Sequence, residues 1–244
     1  MIKSPNTITT VDLIRHGEPV GGHKYRGQSD DPLSEKGWTQ MRSAVGEHRP
    51  WDVIASSTLS RCAAFASELA QRHAIPLEFD ARLMEIGFGE WEGRTAAVAP
   101  GILNPSLRSP ATCMDALVSP EAGCWKRPTL ARPCAAEVTA LDPALLRRFW
   151  LDPLNNVPPG AELLTAFRDR VIPAWDEILA RHSGKHILIV GHAGVIRMVV
   201  RHVLDMPLQR VFRLAVPNAG ITRIRVENDG EQILPTLLFH AGAL

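Results

Sequence analysis

Short runs of apolar residues alternate along this chain with longer segments in which apolar residues return every three or four positions. Three of the short runs predict strands: ITTVDLI (8–14), WDVIAS (51–56) and HILIVG (186–191). The last run is almost continuously apolar, which is typical of a strand covered on both faces. Near the end of the chain, ITRIRVE and QILPTLLF flank Asn228-Asp229-Gly230, which predicts a β-hairpin with its turn at these residues.

The longer segments have the period of amphipathic helices. Four helices are predicted, over residues 34–47, 59–73, 161–182 and 194–204. Ser34 is a favourable N-cap for the first of them. Pro173 lies inside the third and is expected to kink or divide that helix. Because strands alternate with helices, the predicted fold class is α/β: a three-layer αβα arrangement with a mostly parallel central sheet and helices on both faces.

One stretch, at about 97–143, fits neither pattern. It contains seven prolines and three of the four cysteines of the chain, and no helical or strand period persists through it. A structureless stretch of this length inside a compact domain is unusual and is normally a lid or a disordered insertion. We therefore expect a single domain over residues 1–244 that carries an atypical insertion there.

The composition of the chain argues against several classes of function. The formal net charge is +1, so no bulk field favours nucleic acid or an anionic membrane. The apolar runs are far too short to span a bilayer, and the N-terminal segment lacks the apolar core of a signal peptide. None of the four cysteines forms a C-x-x-C pair, so neither a zinc site nor a dithiol redox motif is indicated. These features favour a cytoplasmic protein with free thiols, and they say nothing about its oligomeric state.

Charged side chains follow three of the predicted strands. Arg15 and His16 come directly after the first, Arg61 lies in the first turn of the helix after the second, and His192 follows the strand at 186–191. In an open parallel sheet, ligands bind beyond the carboxyl ends of the strands. We therefore expect these four side chains to meet in one pocket if the strands are neighbours.

Such a pocket suits a tetrahedral dianion. Guanidinium groups bind phosphate oxygens in bidentate fashion and keep their charge, and helix N-termini add N–H donors. Gly17 and Gly194 would let the backbone approach closely. Nearby cations lower the pKa of a histidine, and a neutral imidazole is a competent nucleophile toward phosphorus. One of the two histidines would attack, and the other would donate to the equatorial oxygens.

A leaving alkoxide needs a proton, and RLMEIGFGEWEGRT supplies the candidate acids. Glu85 and Glu92 are both possible, and Glu90 is less favoured. A carboxylic acid that donates near neutral pH needs a pKa raised by partial burial or by the charge of the approaching phosphate. The apolar residues on either side of Glu85 would provide such a setting.

Five segments resemble, in order, the motifs of the histidine phosphatase superfamily, which has the phosphoglycerate mutase-like fold: LIRHGE, RGQSDDPLSEKGWTQ, SSTLSRC, EIGFGEWEGRT and ILIVGHAGVIR. The resemblance covers most of the chain outside 97–143. It implies that His16 is the nucleophile and becomes phosphohistidine, and that Arg15, Arg61 and His192 bind the phosphoryl oxygens. Glu85 would donate the proton and later draw one from water. No metal and no cofactor are implied, because fixed cations do the work of Mg²⁺.

Within the superfamily, YRGQSDDPLSEKGW, SRCAAFASELA and RRFWLDPLNNVPPGAE look like the α-ribazole phosphatase branch. That resemblance implies a small phosphorylated substrate, α-ribazole 5′-phosphate in cobalamin biosynthesis, with Arg26 and Glu162 near the substrate rim. The insertion at 97–143 departs from the family pattern where the family places its cap. Two alternatives stay open: a phosphoglycerate mutase-type phosphotransferase and a non-catalytic phosphate-binding module.

Overall fold

A computed structural model describes residues 7–96 and 140–242 of the chain. Most of the predicted insertion, residues 97–139, lies outside the described residues. The strands are β1 (Thr7–Arg15), β2 (Val53–Ser56), β3 (Leu77–Phe79), β4 (Thr95–Ala96), β5 (Ala140–Leu141), β6 (His186–Gly191), β7 (Ile221–Asn228) and β8 (Ile233–Gly242). The α-helices are α1 (Glu35–Val45), α2 (Ser60–His73), α3 (Pro143–Leu151), α4 (Leu164–Arg181) and α5 (Ala193–Val203).

Six of these strands form one mixed sheet in the order β3-β2-β6-β1-β7-β8. The four strands from β3 to β1 are parallel to their neighbours, and β7 is antiparallel to both β1 and β8. The only reversed strand of this sheet is therefore β7, the first strand of the C-terminal hairpin. The remaining two strands, β4 and β5, form a separate parallel pair of two residues each.

Helices cover both faces of the sheet because successive side chains of its inner strands point in opposite directions. On one face, Val11 and Leu13 of β1 pack with α3, α4 and α5. On the other face, Ile14 packs with α1 and α2. The neighbouring strand β6 divides in the same way, with Ile187 on the first face and Leu188 on the second. The predicted αβα architecture is confirmed.

Local signals in the sequence account for most element boundaries. Ser34 caps α1, and its hydroxyl accepts a hydrogen bond from the Gly37 N–H at 3.0 Å. The C-terminal hairpin is present, although Asn228 is the last residue of β7 and the connection covers residues 229–232. Helix α4 continues through Pro173, so the alternative that this proline divides the helix is wrong. The pattern did not predict β3 or α3, and α3 begins at Pro143, inside the stretch expected to lack regular structure.

Strand order decides where the functional side chains go. Strands β2, β6 and β1 are consecutive in the sheet, with Arg15 of β1 opposite Gly191 of β6 and Ser56 of β2 opposite Val190. The carboxyl ends of the three strands therefore meet at one edge. None of the helices within residues 7–96 and 140–242 is long and apolar enough to cross a membrane.

Candidate active site

A cleft with a volume of about 120 Å³ opens at this edge of the sheet. Basic side chains dominate its charge: the lining includes Arg15, Lys24, Arg26, Arg61 and Arg197. The acidic side chain in the same lining is Glu85. Five cations around one carboxylate make the cleft electropositive, although the chain as a whole is nearly neutral.

His16 lines the cleft and is held in one orientation from behind. Its backbone N–H donates to the Gly191 carbonyl at 2.9 Å, which continues the β1–β6 pairing by one residue. Its Nδ1 lies 2.7 Å from the Gly17 carbonyl. Because a carbonyl oxygen can only accept, Nδ1 carries the ring proton and Nε2 has a free lone pair. A side chain on Gly17 would collide with the Gly37 backbone, so the close approach predicted at Gly17 is one between two backbone segments.

The half-buried Arg15 and the buried Arg61 both line the cleft, and each donates terminal N–H groups to backbone carbonyls. Arg61 is 1% exposed, and its Nη1 and Nη2 donate to the carbonyls of Ser29 at 2.6 Å and Gly27 at 2.8 Å. Arg15 donates through Nη1 to the Val216 carbonyl at 2.6 Å. Among the described residues, the buried Nε of each arginine has no hydrogen-bond partner. Buried donors of this kind mark a place for an anionic acceptor.

His192 is fully buried against His16, and the two rings meet edge to face with 5.2 Å between their centroids. Its Nε2 lies 2.8 Å from the Ser57 hydroxyl at the end of β2. The thiol of Cys62 approaches the same nitrogen at 3.5 Å and the Gly191 carbonyl at 3.4 Å. The four side chains that the sequence predicted to meet, Arg15, His16, Arg61 and His192, therefore belong to one contiguous site.

Burial and positive charge act in the same direction on both histidines. Burial is the largest cause that lowers the pKa of His16 well below 6.5, and Arg15 and Arg61 lower this pKa further. Burial also lowers the pKa of His192 well below 6.5, with Arg61 as the next cause. The lowered pKa predicted from nearby cations is found, with desolvation as the larger effect. Both imidazoles are neutral at pH 7.

Glu85 lines the cleft and contacts the first turn of α5. Its Oε1 accepts from the Gly194 N–H at 3.0 Å and from the Ile86 N–H at 3.0 Å. The apolar setting suggested by its sequence neighbours is therefore replaced by two backbone donors and the positive end of a helix dipole. A side chain at position 194 would overlap the Glu85 carboxylate, which explains the glycine there.

The other acidic candidate, Glu92, holds a loop in place through hydrogen bonds. Its carboxylate accepts four hydrogen bonds, from the backbone N–H groups of Gln28, Ser29 and Phe88 and from the Ser29 hydroxyl, at 2.7–3.0 Å. These bonds hold the loop whose carbonyls bind Arg61. Glu90 is exposed, so the geometry favours Glu85 as the acid.

The two residues expected at the substrate rim have different positions. Arg26 lines the cleft, and its Nε donates to Asp31 at 3.0 Å. Glu162 lies away from this lining, because its carboxylate pairs with Arg170 at 2.7 Å and accepts from the Gly87 N–H at 3.1 Å. Arg170 also donates to the Glu85 carbonyl at 2.9 Å. Glu162 thus supports the Glu85 segment from behind, and its place at the substrate rim stays a prediction.

Sequence reasoning missed part of the cleft. Arg197 on α5 is 6% exposed and lines the cleft beside Ala193 and Gly194, which lie four and three residues earlier on the same helical face. That spacing was a usable signal. The wall formed by Tyr25, Ile86, Phe88, Trp150 and Phe212 had no comparable signal, because its members come from four separate segments.

Gly194 offers a direct test of how closely Glu85 must approach α5. We expect Gly194→Ala to lower kcat/KM by about 10²-fold, since a displacement of about 1 Å of a reacting group has effects of that order. Gly191→Ala is the matched control, because a Cβ there would meet Val195 only at 3.9 Å. Steady-state kinetics on folded variants measure the effect, and equal rates for both would contradict the close approach.

The sequence was also compared with known proteins. The family model described as "Histidine phosphatase superfamily (branch 1)" matches residues 11–107 and 102–236. The chain belongs to this superfamily. The sheet order, the covering helices and the site at the carboxyl ends of β1, β2 and β6 agree with the phosphoglycerate mutase-like fold of its members.

Individual histidine phosphatase relatives are distant. The bifunctional protein Rv2228c of Mycobacterium tuberculosis (strain ATCC 25618 / H37Rv) is 28% identical over 92% of this chain and 52% of its own length. The chain thus spans about half the length of the first curated relatives it matches. A 2,3-bisphosphoglycerate-dependent phosphoglycerate mutase of Hamiltonella defensa is 26% identical, with 87% of this chain and 84% of the mutase covered.

A solved structure shares the fold at lower identity. It is that of an Escherichia coli str. K-12 protein provisionally named an alpha-ribazole-5'-P phosphatase. The match has a TM-score of 0.65 and 20% identity, and covers 96% of both chains.

Proposed function

We propose that this chain is a phosphomonoesterase that acts through a phosphohistidine on His16, in a single domain that carries an insertion at about 97–143. One observation carries the proposal: a neutral His16 lies in the same cleft as two guanidinium groups whose buried Nε atoms have no hydrogen-bond partner within residues 7–96 and 140–242. The guanidinium groups of Arg15 and Arg61 would neutralise the phosphoryl oxygens, and His192 would donate to one of them.

The geometry supports a two-step reaction. In the first step His16 Nε2 attacks phosphorus, the ester P–O bond breaks, and Glu85 gives its proton to the departing alkoxide. In the second step water attacks phosphorus, the P–N bond breaks, and the Glu85 carboxylate takes the proton of the water. Inorganic phosphate leaves, and both side chains return to their starting states.

Metal-independent hydrolysis of p-nitrophenyl phosphate tests this function. In residues 7–96 and 140–242 no group of three or more His, Cys, Asp or Glu side chains is arranged to hold a metal ion. We propose that the arginines supply the required positive charge, so the purified chain should turn over in excess EDTA. Loss of activity in EDTA would contradict metal independence. Stoichiometric phosphate binding without hydrolysis would favour a binding module, and transfer to a second substrate hydroxyl would favour a mutase.

The aromatic wall supports a finer proposal about the substrate. Tyr25 packs edge to face on Phe88 with 5.2 Å between ring centroids, and Trp150 packs on Phe212 at 5.0 Å. Rigid aromatic surfaces in a cleft suit a planar apolar group. We therefore propose a small phosphorylated metabolite with such a group on its alcohol, with α-ribazole 5′-phosphate of cobalamin biosynthesis as the leading candidate.

A substrate comparison tests this finer proposal. The resemblance of YRGQSDDPLSEKGW and RRFWLDPLNNVPPGAE to the α-ribazole phosphatase branch also favours α-ribazole 5′-phosphate as the substrate. We propose that the reaction takes place in the cytoplasm. The kcat/KM for α-ribazole 5′-phosphate should exceed those for glycerol phosphate and 3-phosphoglycerate by at least about tenfold, because one well-buried apolar group contributes more than 1.4 kcal/mol. A preference for 3-phosphoglycerate would contradict the proposal.

The pH dependence follows from the direction of the histidine pKa shifts. A lowered pKa favours the neutral ring, so His16 and His192 gain protons only well below pH 6.5. We expect the acid limb of kcat/KM to follow the second ionisation of the substrate phosphate, near about pH 6. Two aryl phosphates with different second pKa values should therefore show acid limbs displaced by that difference. Coincident limbs near pH 6.5 would indicate titration of a histidine with an ordinary pKa.

A further inference from the structure

The His192 ring contacts a hydroxyl group that directly follows the neighbouring strand. Ser57 directly follows β2, and its Oγ lies 2.8 Å from His192 Nε2. Both residues are completely buried. Since β2 and β6 are paired up to Ser56 and Val190, the sheet itself brings the two side chains together.

Hydrogen-bond accounting gives the direction of this bond. The Ser57 Oγ also accepts from the Leu59 N–H at 3.3 Å. In the described part of the chain, the contacts of this hydroxyl are Leu59 N and His192 Nε2, and an N–H group cannot accept a proton. Among these contacts Nε2 is the acceptor within reach of the Ser57 proton, so the direction from Ser57 O–H to Nε2 is the one that satisfies the hydroxyl as both donor and acceptor. The Cys62 thiol has a different acceptor, the Gly191 carbonyl at 3.4 Å.

A nitrogen that accepts a hydrogen bond carries no proton. The neutral His192 ring must therefore hold its proton on Nδ1. Nε2 is bound to Ser57, and the Cys62 sulfur lies 3.8 Å from Nδ1, so Nδ1 is the nitrogen with room for a stronger acceptor. In this tautomer the ring can donate to an anionic phosphoryl oxygen. The opposite tautomer would turn a lone pair toward that oxygen and repel it.

We propose that Ser57 is a positioning residue that holds His192 as the Nδ1–H tautomer, so that the ring donates to the transferring phosphoryl group. The inference rests on the proposed phosphatase function of the same site. It divides the work of the two histidines. His16 presents the lone pair of Nε2 because its Nδ1–H donates to the Gly17 carbonyl. His192 presents its Nδ1–H because its Nε2 accepts from the Ser57 hydroxyl.

Long-range ¹H–¹⁵N correlation spectra of the full chain, with the nine histidines assigned along the backbone, measure the tautomer directly. At pH 7.5 the His192 signals should be those of a protonated Nδ1 and a bare Nε2. Addition of inorganic phosphate should shift the Nδ1 signal. A protonated Nε2 in the unmodified chain would overturn the proposal. This spectrum needs neither a variant nor catalytic turnover, so it remains decisive even if the chain hydrolyses no phosphate ester.

Ser57→Ala tests the consequence, with Ser56→Ala as a matched control. Ser56 is also fully buried, and its hydroxyl donates to the Ser57 carbonyl at 3.0 Å without contact to His192. Ser57→Ala should show both His192 tautomers and lose at least tenfold in kcat/KM. Ser56→Ala should keep one tautomer and stay within twofold of the unmodified chain. An unchanged tautomer and unchanged kcat/KM in folded Ser57→Ala would overturn the role of Ser57.

Discussion

Replacing His16 with alanine should abolish turnover, with a loss in kcat/KM of about 10⁴-fold or more, because removal of a covalent nucleophile disables the whole reaction path. Alanine leaves Arg15, Arg61 and Glu85 in place, so inorganic phosphate should still bind. Initial rates with p-nitrophenyl phosphate in EDTA measure the loss. Rapid quenching in alkali should trap a phosphorylated chain from the unmodified protein and none from His16→Ala.

The control for this variant is His48→Ala, at an exposed histidine outside the cleft lining. It should keep the rate of the unmodified chain within about twofold, as is usual for surface substitutions. Full turnover by folded His16→Ala would show that another group is the nucleophile.

The second large effect is expected at Glu85, and it depends on the leaving group. For an alkyl phosphate, Glu85→Gln should lower kcat/KM by about 10³-fold, within the usual range for general acid catalysis. For p-nitrophenyl phosphate the loss should stay below about tenfold, because nitrophenolate departs with little need of a proton. The constant kcat/KM is the right measure, since it reports formation of the phosphoenzyme and omits its later hydrolysis.

Glu92→Gln separates the chemistry of Glu85 from simple damage to the loop. Glu92 anchors the segment that holds Arg61, so its replacement should slow both esters to a similar degree. Equal losses for both esters in Glu85→Gln would move the role of the acid to another residue.

The candidate acids show where sequence reasoning stopped. Glu85 and Glu92 occur in one short segment, and the apolar neighbours of Glu85 were the only local difference between them. Their actual environments come from distant residues: Gly194 donates to Glu85, and Gln28 and Ser29 donate to Glu92. A pattern of neighbours along the chain does not contain these contacts.

Arg61 is a similar case. The sequence predicted a guanidinium group at the end of the second strand, and the structure has it there. Nη1 and Nη2 each donate one hydrogen bond to a loop carbonyl, that of Ser29 and that of Gly27, and each nitrogen keeps a second N–H. Nε is buried and has no hydrogen-bond partner among the described residues. Loop carbonyls some thirty residues away along the sequence decide how the guanidinium group is held.

The order of residues along the chain determined most of the secondary structure and the positions of four candidate site residues. Apolar periodicity is enough to predict β1, β2, β6 and the four long helices, because burial of one face depends on the spacing of residues that are close in sequence. The positions of Arg15, His16, Arg61 and His192 at strand ends follow from the same pattern, and the parallel order of α/β sheets brings such ends together. Tertiary structure alone decided the aromatic wall, the supporting place of Glu162 and the contact of Ser57 with His192. These depend on side chains from separate segments that meet only after the sheet and its helices have packed, and hydrogen bonds across such distances leave no period in the sequence.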